Sequence, residues 1–488
     1  MRSEMRTAII GGGIAGLAAA YELELARTAG SAVEYTLFES RDRLGGALSS
    51  EIVDGAVLER GPDSFLSEKP AAAALCRELG LAADLIPSND AARKTWIIVN
   101  NRLVALPDGL MFLVPTKLIP TALTRLFSLS TKIRMGLELL HPPRPSGLPD
   151  ESVASLVQRH FGTETVDRLA DPLLSGIYGG DAAQLSARTV LPRLVEMECE
   201  YGSLTRGMLA AHRKMRAAQS AKGTHASNGR APAARRGIFT TLRGGLQQMV
   251  NALEAKLAPA SVRRSTPVDR IEKVDDGWNI TAKGTTEFYD AVIMAAPAWA
   301  AGALLRSVDA TLGEELSAIP YSSSITVNLV YDEANLGRLP DGFGFLVPVK
   351  EGRSMLACTF VHRKFLGRTP TGKAVLRAFL GGMKNEALLS VSDVQLVTIV
   401  RRELSEILGD EIFSRNTEPE HTQVSRWPRA MAQYAVGHQD RKQHIADRVE
   451  TLHGLKLAGN AYDGIGIPDC IRLGRQAAKE LLESISKA

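Results

Sequence analysis

Cysteine is scarce in this 488-residue chain: Cys76, Cys199, Cys358 and Cys470 form no CxxC pair and have no histidine at metal-ligand spacing. Neither a disulfide framework nor a metal site is expected, and a reducing cytoplasm suits the composition. Long apolar runs are also missing. The strongest, Leu110–Pro120, is broken by Pro115, Lys117 and Pro120 before the roughly 20 residues that a membrane span requires. Acidic residues are absent from Tyr201–Leu253, which holds nine Lys and Arg, while the rest of the chain carries 49 basic against 54 acidic residues. That contrast points to a local basic face or loop; the net charge of +4 is modest, and no nucleic-acid partner is expected. Large apolar side chains are nearly absent from 217–237, which reads as a flexible linker.

What is present begins at Thr7–Ala20, an apolar strand-like run meeting Gly11-x-Gly13-x-x-Gly16 and then an Ala/Leu-rich helix. In this dinucleotide fingerprint Gly11 permits the tight turn, Gly13 lets a pyrophosphate approach the backbone, and Gly16 lets helix and strand pack closely. The phosphates then sit at free amides of the helix N-terminus, in the stretch Gly11, Gly12, Gly13, Ile14, Ala15, Gly16. Because its glycines fall on this spacing, the run is read as part of the fold and not as a signal peptide, and no targeting segment is expected. A second strand, Glu34–Glu39, ends in an acid 23 positions after Gly16, where a ribose hydroxyl needs a carboxylate. Arg43-Leu44-Gly45-Gly46 follows. A nicotinamide-binding unit does not require it; it resembles the second contact loop of FAD-dependent amine oxidases and desaturases, which points to FAD.

A chain of this length calls for two or three domains. A hairpin is expected over Glu51–Leu58, a turn over Glu59–Phe65, a helix over Ala71–Leu79, and two strands around Asn100-Asn101 within Thr95–Pro107. Leu110 to about Arg216 reads as helical. Two readings of its apolar start stand side by side: in-plane membrane contact, with Lys117, Arg125, Lys132 and Arg134 nearby, or a helical cap over a pocket. Thr241–Leu246 opens a helix to about Leu257, and the segments from Ser265, from Trp278 and over Ala291–Pro297 form a small sheet. Strands over Ile325–Val330, Phe343–Val347, Met355–Phe360 and Ala374–Leu380, with a helix over Ser392–Leu408, suggest a sheet walling a substrate cavity. Leu455–Asn460 is a strand and turn, and Pro468 suits the first turn of a last helix.

Several runs together resemble the oxygen-dependent protoporphyrinogen/coproporphyrinogen oxidases of haem biosynthesis, within the FAD-dependent amine oxidase superfamily. They are Glu59–Phe65, Ser175–Asp181 (SGIYGGD), Phe379–Gly382, Trp427-Pro428 with Gln433-Tyr434 and Gly437-His438, and Gly459–Ile471. The resemblance implies a mixed α/β and α+β fold: a Rossmann-like FAD-binding domain of the p-hydroxybenzoate hydroxylase type (1–88, 238–300, 448–488), a sheet-based substrate domain (89–109, 301–447) and a helical membrane-binding or capping domain (110–216). It also implies non-covalent FAD on Gly11 to Gly16, Glu39, Ser40, Arg43, Ala47, Gly61, Pro62, Asp63, Ser64, Val268, Asn460, Ile465, Gly466 and Ile467. Substrate walls would include Gly180, Leu346 and Phe379. Where mitochondrial and plastid members carry an Arg thought to pair with a propionate, this chain has Thr95, flanked by Lys94; Arg60 and Lys94 are candidate carboxylate partners. The Pro107–Ser130 run is similar to Gram-positive-type members, which act on coproporphyrinogen III.

The activity so implied is removal of six electrons from a porphyrinogen in three hydride transfers to flavin N5, with O2 reoxidising the flavin and releasing H2O2. No side-chain acid or base is required of the protein, and none of the histidines is assigned a catalytic part. Porphyrinogen and O2 are the expected small-molecule partners. Peripheral membrane contact, haem-pathway enzymes and a monomer or homodimer complete the expectation. Two rivals remain: an amine oxidase, with Tyr462 and Trp427 as the aromatics over the flavin, and a non-catalytic flavin-binding scaffold.

Overall fold

The computed structural model describes residues 4–111, 113–145, 147–223 and 237–487. At its centre is a five-stranded parallel sheet in the order Val262–Arg263, Val33–Phe38, Met5–Ile10, Ala291–Met294, Leu455–Leu457. Ala291–Met294, at its interior, is apolar throughout, and helices cover the sheet on the core side: Ile14–Thr28, Pro70–Glu78, Gln247–Glu254 and Ile467–Lys487 pack there on a core that includes Leu17, Leu75, Leu253 and Ile471. On the other face lies a three-stranded antiparallel meander, Val268–Val274, Gly277–Ala282 and Thr285–Tyr289, with Trp278 buried beneath it.

The second large element is a seven-stranded sheet in the order His421–Ala432, Tyr321–Asp332, Lys373–Gly381, Met355–Phe360, Gly344–Leu346, Thr95–Val99, Arg102–Ala105. Asn100 and Asn101, at φ of 51° and 59°, make the turn of its last hairpin, the left-handed conformation that Asn tolerates. Helix Asp393–Leu408, started by a Ser392/Gln395 capping box, covers one face. A helical unit from Leu118 to Gly223 packs on Ile97 and Val99 at the other.

Several expectations are corrected. Ala291–Met294 leaves the small sheet and pairs in parallel with Met5–Ile10, because its four residues are all buried and need a partner on each side. Thr285–Tyr289, largely exposed until Tyr289, takes its place. Thr241 and Leu242 belong to strand Phe239–Leu242, and the helix begins only at Gln247. Leu110–Met111 and Val114–Pro115 form a short hairpin. Helix Leu204–Gly223 enters the stretch read as linker, whose remaining residues 224–236, like Phe112, lie outside the described residues.

Candidate functional site

Strand Met5–Ile10 ends at Gly11, whose φ of +111° and whose approach to the Ala295 carbonyl, 2.8 Å from where a Cβ would stand, admit only glycine. Gly16 backs onto the Gly11 carbonyl and has no room for any side chain. Gly13, the residue before helix Ile14–Thr28, offers no side-chain cap and has nothing within 4 Å of its missing Cβ. The fingerprint therefore opens onto free space with first-turn amides that find no acceptor among the described residues, the geometry that takes a phosphate.

Glu39 is 8% exposed at the end of the neighbouring strand. Its Oε2 accepts the Gly12 N–H at 2.8 Å and its Oε1 the Arg41 N–H at 2.8 Å and the Ser40 hydroxyl at 3.2 Å. A carboxylate has about four acceptor sites, so one remains for a ribose hydroxyl. The Gly45–Gly46 loop folds back onto the fingerprint: Gly45 donates to the Gly12 carbonyl at 2.8 Å, and Arg43 grips the loop through the carbonyls of Leu44, Gly46 and Leu48. Ala47, next in the chain, abuts Gly61. Val268 packs in the cluster that contains Phe38. Asn460 accepts from Tyr434 through its main-chain carbonyl at 2.9 Å, and the same hydroxyl accepts from the Gly464 N–H at 2.8 Å. Ile465, Gly466 and Ile467 lead into the last helix, whose first-turn Asp469 pairs with Lys69 at 2.7 Å.

The turn Glu59–Ser64 lies between these loops and the seven-stranded sheet. Three successive carbonyls point at the sheet. That of Glu59 accepts from Asn328 Nδ2 at 3.0 Å; that of Arg60 accepts from Thr326 Oγ1 and Trp427 Nε1, both at 2.7 Å; and that of Gly61 accepts from Arg377 Nη2. Beneath them lies a buried ion cluster. Arg368 meets Glu59 at 2.5 Å, and Asp63 is held by Lys364 at 2.9 Å, by Ser64 and by Arg377 at 3.8 Å. Burial works against the Asp63 charge, but Lys364 and Arg377 outweigh it and hold the carboxyl well below its ordinary range. Pro62 supplies no donor to this array.

The expected substrate walls share the sheet face that grips the turn. One cross-strand row runs Ile97, Leu346, Ala357, Phe379, Thr326, Ser425; the next runs Thr95, Gly344, Thr359, Arg377, Asn328, Gln423. The turn covers the Thr326/Asn328 end and the helical unit covers Ile97 and Leu346. Leu346 and Phe379 thus stand between them, facing Ser175–Asp181, where Gly176 has a Cβ position 3.3 Å from Leu346. Ile177 is 55% exposed there. Gly180 is buried instead: its missing side chain would overlap Gln433, so Gly176 is the glycine of the motif that meets Leu346.

The cation candidates are not brought together. Arg60 pairs with Glu51 at 2.8 Å, and Lys94 is exposed with its ammonium 4.1 Å over the Trp96 ring. Thr95 lies three strands from Arg377 along its row, about 14 Å at the usual strand spacing. Trp427 is committed to the Arg60 carbonyl, and Tyr462 is buried with no partner for its hydroxyl among the described residues. Residue-by-residue reading missed Arg368, Arg377, Lys364, Thr326 and Asn328. The only signal was a pair of arginines in or beside an apolar strand.

A profile of flavin containing amine oxidoreductases matches residues 14–482. The chain is 34% identical to the coproporphyrinogen III oxidase of Bacillus subtilis, over 97% of each chain, and 33% identical to the protoporphyrinogen oxidase of Homo sapiens, over 97% of this chain and 98% of that one. Among solved structures, a candidate protoporphyrinogen oxidase from an Exiguobacterium species superposes with a TM-score of 0.84 at 31% identity, covering 99% of both chains.

Proposed function

The chain belongs to the flavin containing amine oxidoreductases and, within them, to the porphyrinogen oxidases of haem biosynthesis; from that premise we propose that its cofactor is non-covalent FAD and its substrate coproporphyrinogen III. The residues present fit such a cofactor, since Gly13 faces open space, the first-turn amides find no acceptor among the described residues and Glu39 keeps an acceptor site. Bound flavin would supply the hydride acceptor and the route of electrons to O2. Gly11 to Gly16 would hold the phosphates, Glu39 a ribose, Arg43 and Ala47 the loop behind them, and Gly61 to Ser64 with Asn460 to Ile467 the ring system. We divide the chain in line with these roles: 1–88, 238–300 and 448–488 for FAD, 89–109 and 301–447 for the substrate, and 110–216 for the helical unit.

The observation that carries the reading is the wedge of turn Glu59–Ser64 between the fingerprint loops and the face bearing Leu346 and Phe379, which puts cofactor and substrate surfaces side by side. The lean to coproporphyrinogen III rests on Thr95 at the position of the propionate Arg and on the Pro107–Ser130 run. The test is porphyrin fluorescence and H2O2 release, with kcat/KM for both porphyrinogens in one preparation. A preference of tenfold or more for protoporphyrinogen, about 1.4 kcal/mol, overturns the lean, and amine turnover without porphyrin overturns the activity. Arg60→Ala and Lys94→Ala then separate a carboxylate partner, where loss is confined to one substrate, from a structural role.

We further propose cytoplasmic peripheral membrane contact. No helix among the described residues is long and apolar enough to cross a membrane. Ile119, Leu123, Leu129, Ile133, Leu137 and Leu140 are nonetheless all exposed on neighbouring segments. Beside them a cleft of 680 Å³, lined by Val99, Leu103 and Thr124, carries Arg102 and Arg125. Apolar bulk beside basic side chains is the composition of an interfacial, anion-seeking surface.

A further inference from the structure

The Arg60–Gly61 peptide is fixed by groups that no cofactor role has been given. Its carbonyl accepts two hydrogen bonds from the seven-stranded sheet, from Thr326 Oγ1 and Trp427 Nε1, each at 2.7 Å. Thr326 is 4% and Trp427 9% exposed, so both donors are held out of bulk water. In a trans peptide the N–H points opposite to the carbonyl. The Gly61 N–H is therefore aimed away from the sheet, and the Cβ side of the same residue is closed by the Ala47 carbonyl. Among the described residues it has no acceptor, and Pro62, next in the chain, has no N–H to compete with it.

Two further features act in the same direction. Hydrogen bonds accepted by a carbonyl polarise the N–H of the same amide, by something like 10–30% per bond in a low-dielectric setting. The buried cluster under the turn holds Lys364, Arg368 and Arg377 against Glu59 and Asp63, a surplus of positive charge. Arg377 keeps Nε and Nη1 without hydrogen-bond partners. A preset donor backed by positive charge favours a ligand that gains negative charge, as a flavin does on reduction.

We propose that Thr326 and Trp427 are positioning residues of the oxidation: by holding the Arg60 carbonyl they preset the Gly61 N–H as a donor to the bound flavin and raise its affinity for electrons. The proposal rests on the flavin reading above, and it assigns to the substrate-side sheet a part in setting the cofactor's potential.

The test is the flavin midpoint potential, measured by dye equilibration on flavin-loaded wild type, Thr326→Val, Thr326→Ser and Trp427→Phe, with flavin stoichiometry determined in parallel. Thr326→Val and Trp427→Phe should each weaken the preference for reduced over oxidised flavin about tenfold, a fall of about 30 mV for a two-electron couple. Thr326→Ser, which keeps the hydroxyl, should restore the wild-type value. Unchanged potentials in loaded Thr326→Val and Trp427→Phe overturn the proposal. So does loss of flavin from both while far-ultraviolet circular dichroism shows them folded, because the two residues would then only hold the turn. If Thr326→Val alone fails to fold, Trp427→Phe decides. A wild-type protein that takes up no flavin strikes at the reading beneath as well.

Discussion

His160 Nδ1 lies 3.0 Å from Glu138 Oε1, with both side chains fully buried in the helical unit. The other ring nitrogen faces Glu198 at 3.1 Å, so both nitrogens meet carboxylates, which favours the protonated ring. Glu138 also accepts from Ser203 Oγ and from the Leu204 N–H, tying down the start of helix Leu204–Gly223. Arg159 bridges Glu198 and Glu151, Arg144 joins Glu151, and His141 stacks 4.8 Å from the His160 ring.

This arrangement makes the helical unit sensitive to alkali. Burial lowers the His160 pKa, but Glu138 and Glu198 outweigh it, and the folded-state value lies above the ordinary one. The contribution is complete below about pH 6.5, the unfolded value, and is lost as pH rises through the raised folded value. Glu198 titrates in the opposite sense. Burial opposes its charge, yet His160 and Arg159 bring it down to about 2, so its contribution is lost only as the solution becomes strongly acid. Thermal melting should give a midpoint that falls as pH rises above about 6.5, and His160→Gln should flatten that slope while costing about 3 kcal/mol.

Glu39 should control cofactor retention. Glu39→Gln keeps the shape but turns one acceptor oxygen into a donor facing the Gly12 N–H or the Arg41 N–H. Flavin should bind about tenfold more weakly, or about 1.4 kcal/mol, as read by fluorescence titration of the apoprotein. Affinity equal to wild type would remove Glu39 from the cofactor site.

Gly474 is a packing glycine that no motif marks. On helix Ile467–Lys487 it touches the Ala15 carbonyl so closely that a Cβ would overlap it, fastening the last helix to the fingerprint helix. Gly474→Ala should therefore destabilise by about 1–3 kcal/mol, measured by urea denaturation, and should loosen cofactor binding with it. Gly136→Ala, in helix Leu129–Leu137 at a position where nothing lies within 4 Å, is the matched control: it should leave cofactor binding unchanged and stability the same or up to about 1 kcal/mol higher.

The exposed apolar face should draw the protein to anionic vesicles. Co-sedimentation should fall at high salt, because screening shortens the reach of Arg102, Arg125 and Lys132. Ile133→Asp and Leu140→Asp should abolish it without changing turnover of dissolved substrate. Binding indifferent to both salt and these substitutions would count against the face.

Much of the strand-turn-helix at the start of the chain was legible because its pattern is local: Gly11, Gly13, Gly16 and Glu39 lie within one strand-turn-helix-strand unit. The Asn100-Asn101 hairpin was legible for the same reason. The support of the turn was not, because Arg368 and Arg377 become tolerable inside only when Glu59 and Asp63 arrive from the far end of the chain. Strand His421–Ala432 escaped because Arg426, Pro428 and Arg429 interrupt any alternation; Arg426 reaches outward to Asp393. His160 gave no sign either, since its two carboxylates come from other helices.

The parallel sheet carries a consequence for biosynthesis. Its strands are drawn from residues 5–10, 33–38, 262–263, 291–294 and 455–457, and the edge of Ala291–Met294 is paired only by the last of these. As the chain leaves the ribosome at about 5–20 residues per second, that edge stays open on the order of ten seconds or longer, and the fingerprint helix waits for its C-terminal partner as well. Such distant pairing is slow to form and exposes apolar strands meanwhile. The nascent protein thus keeps an open, apolar sheet edge until residues 455–487 have emerged.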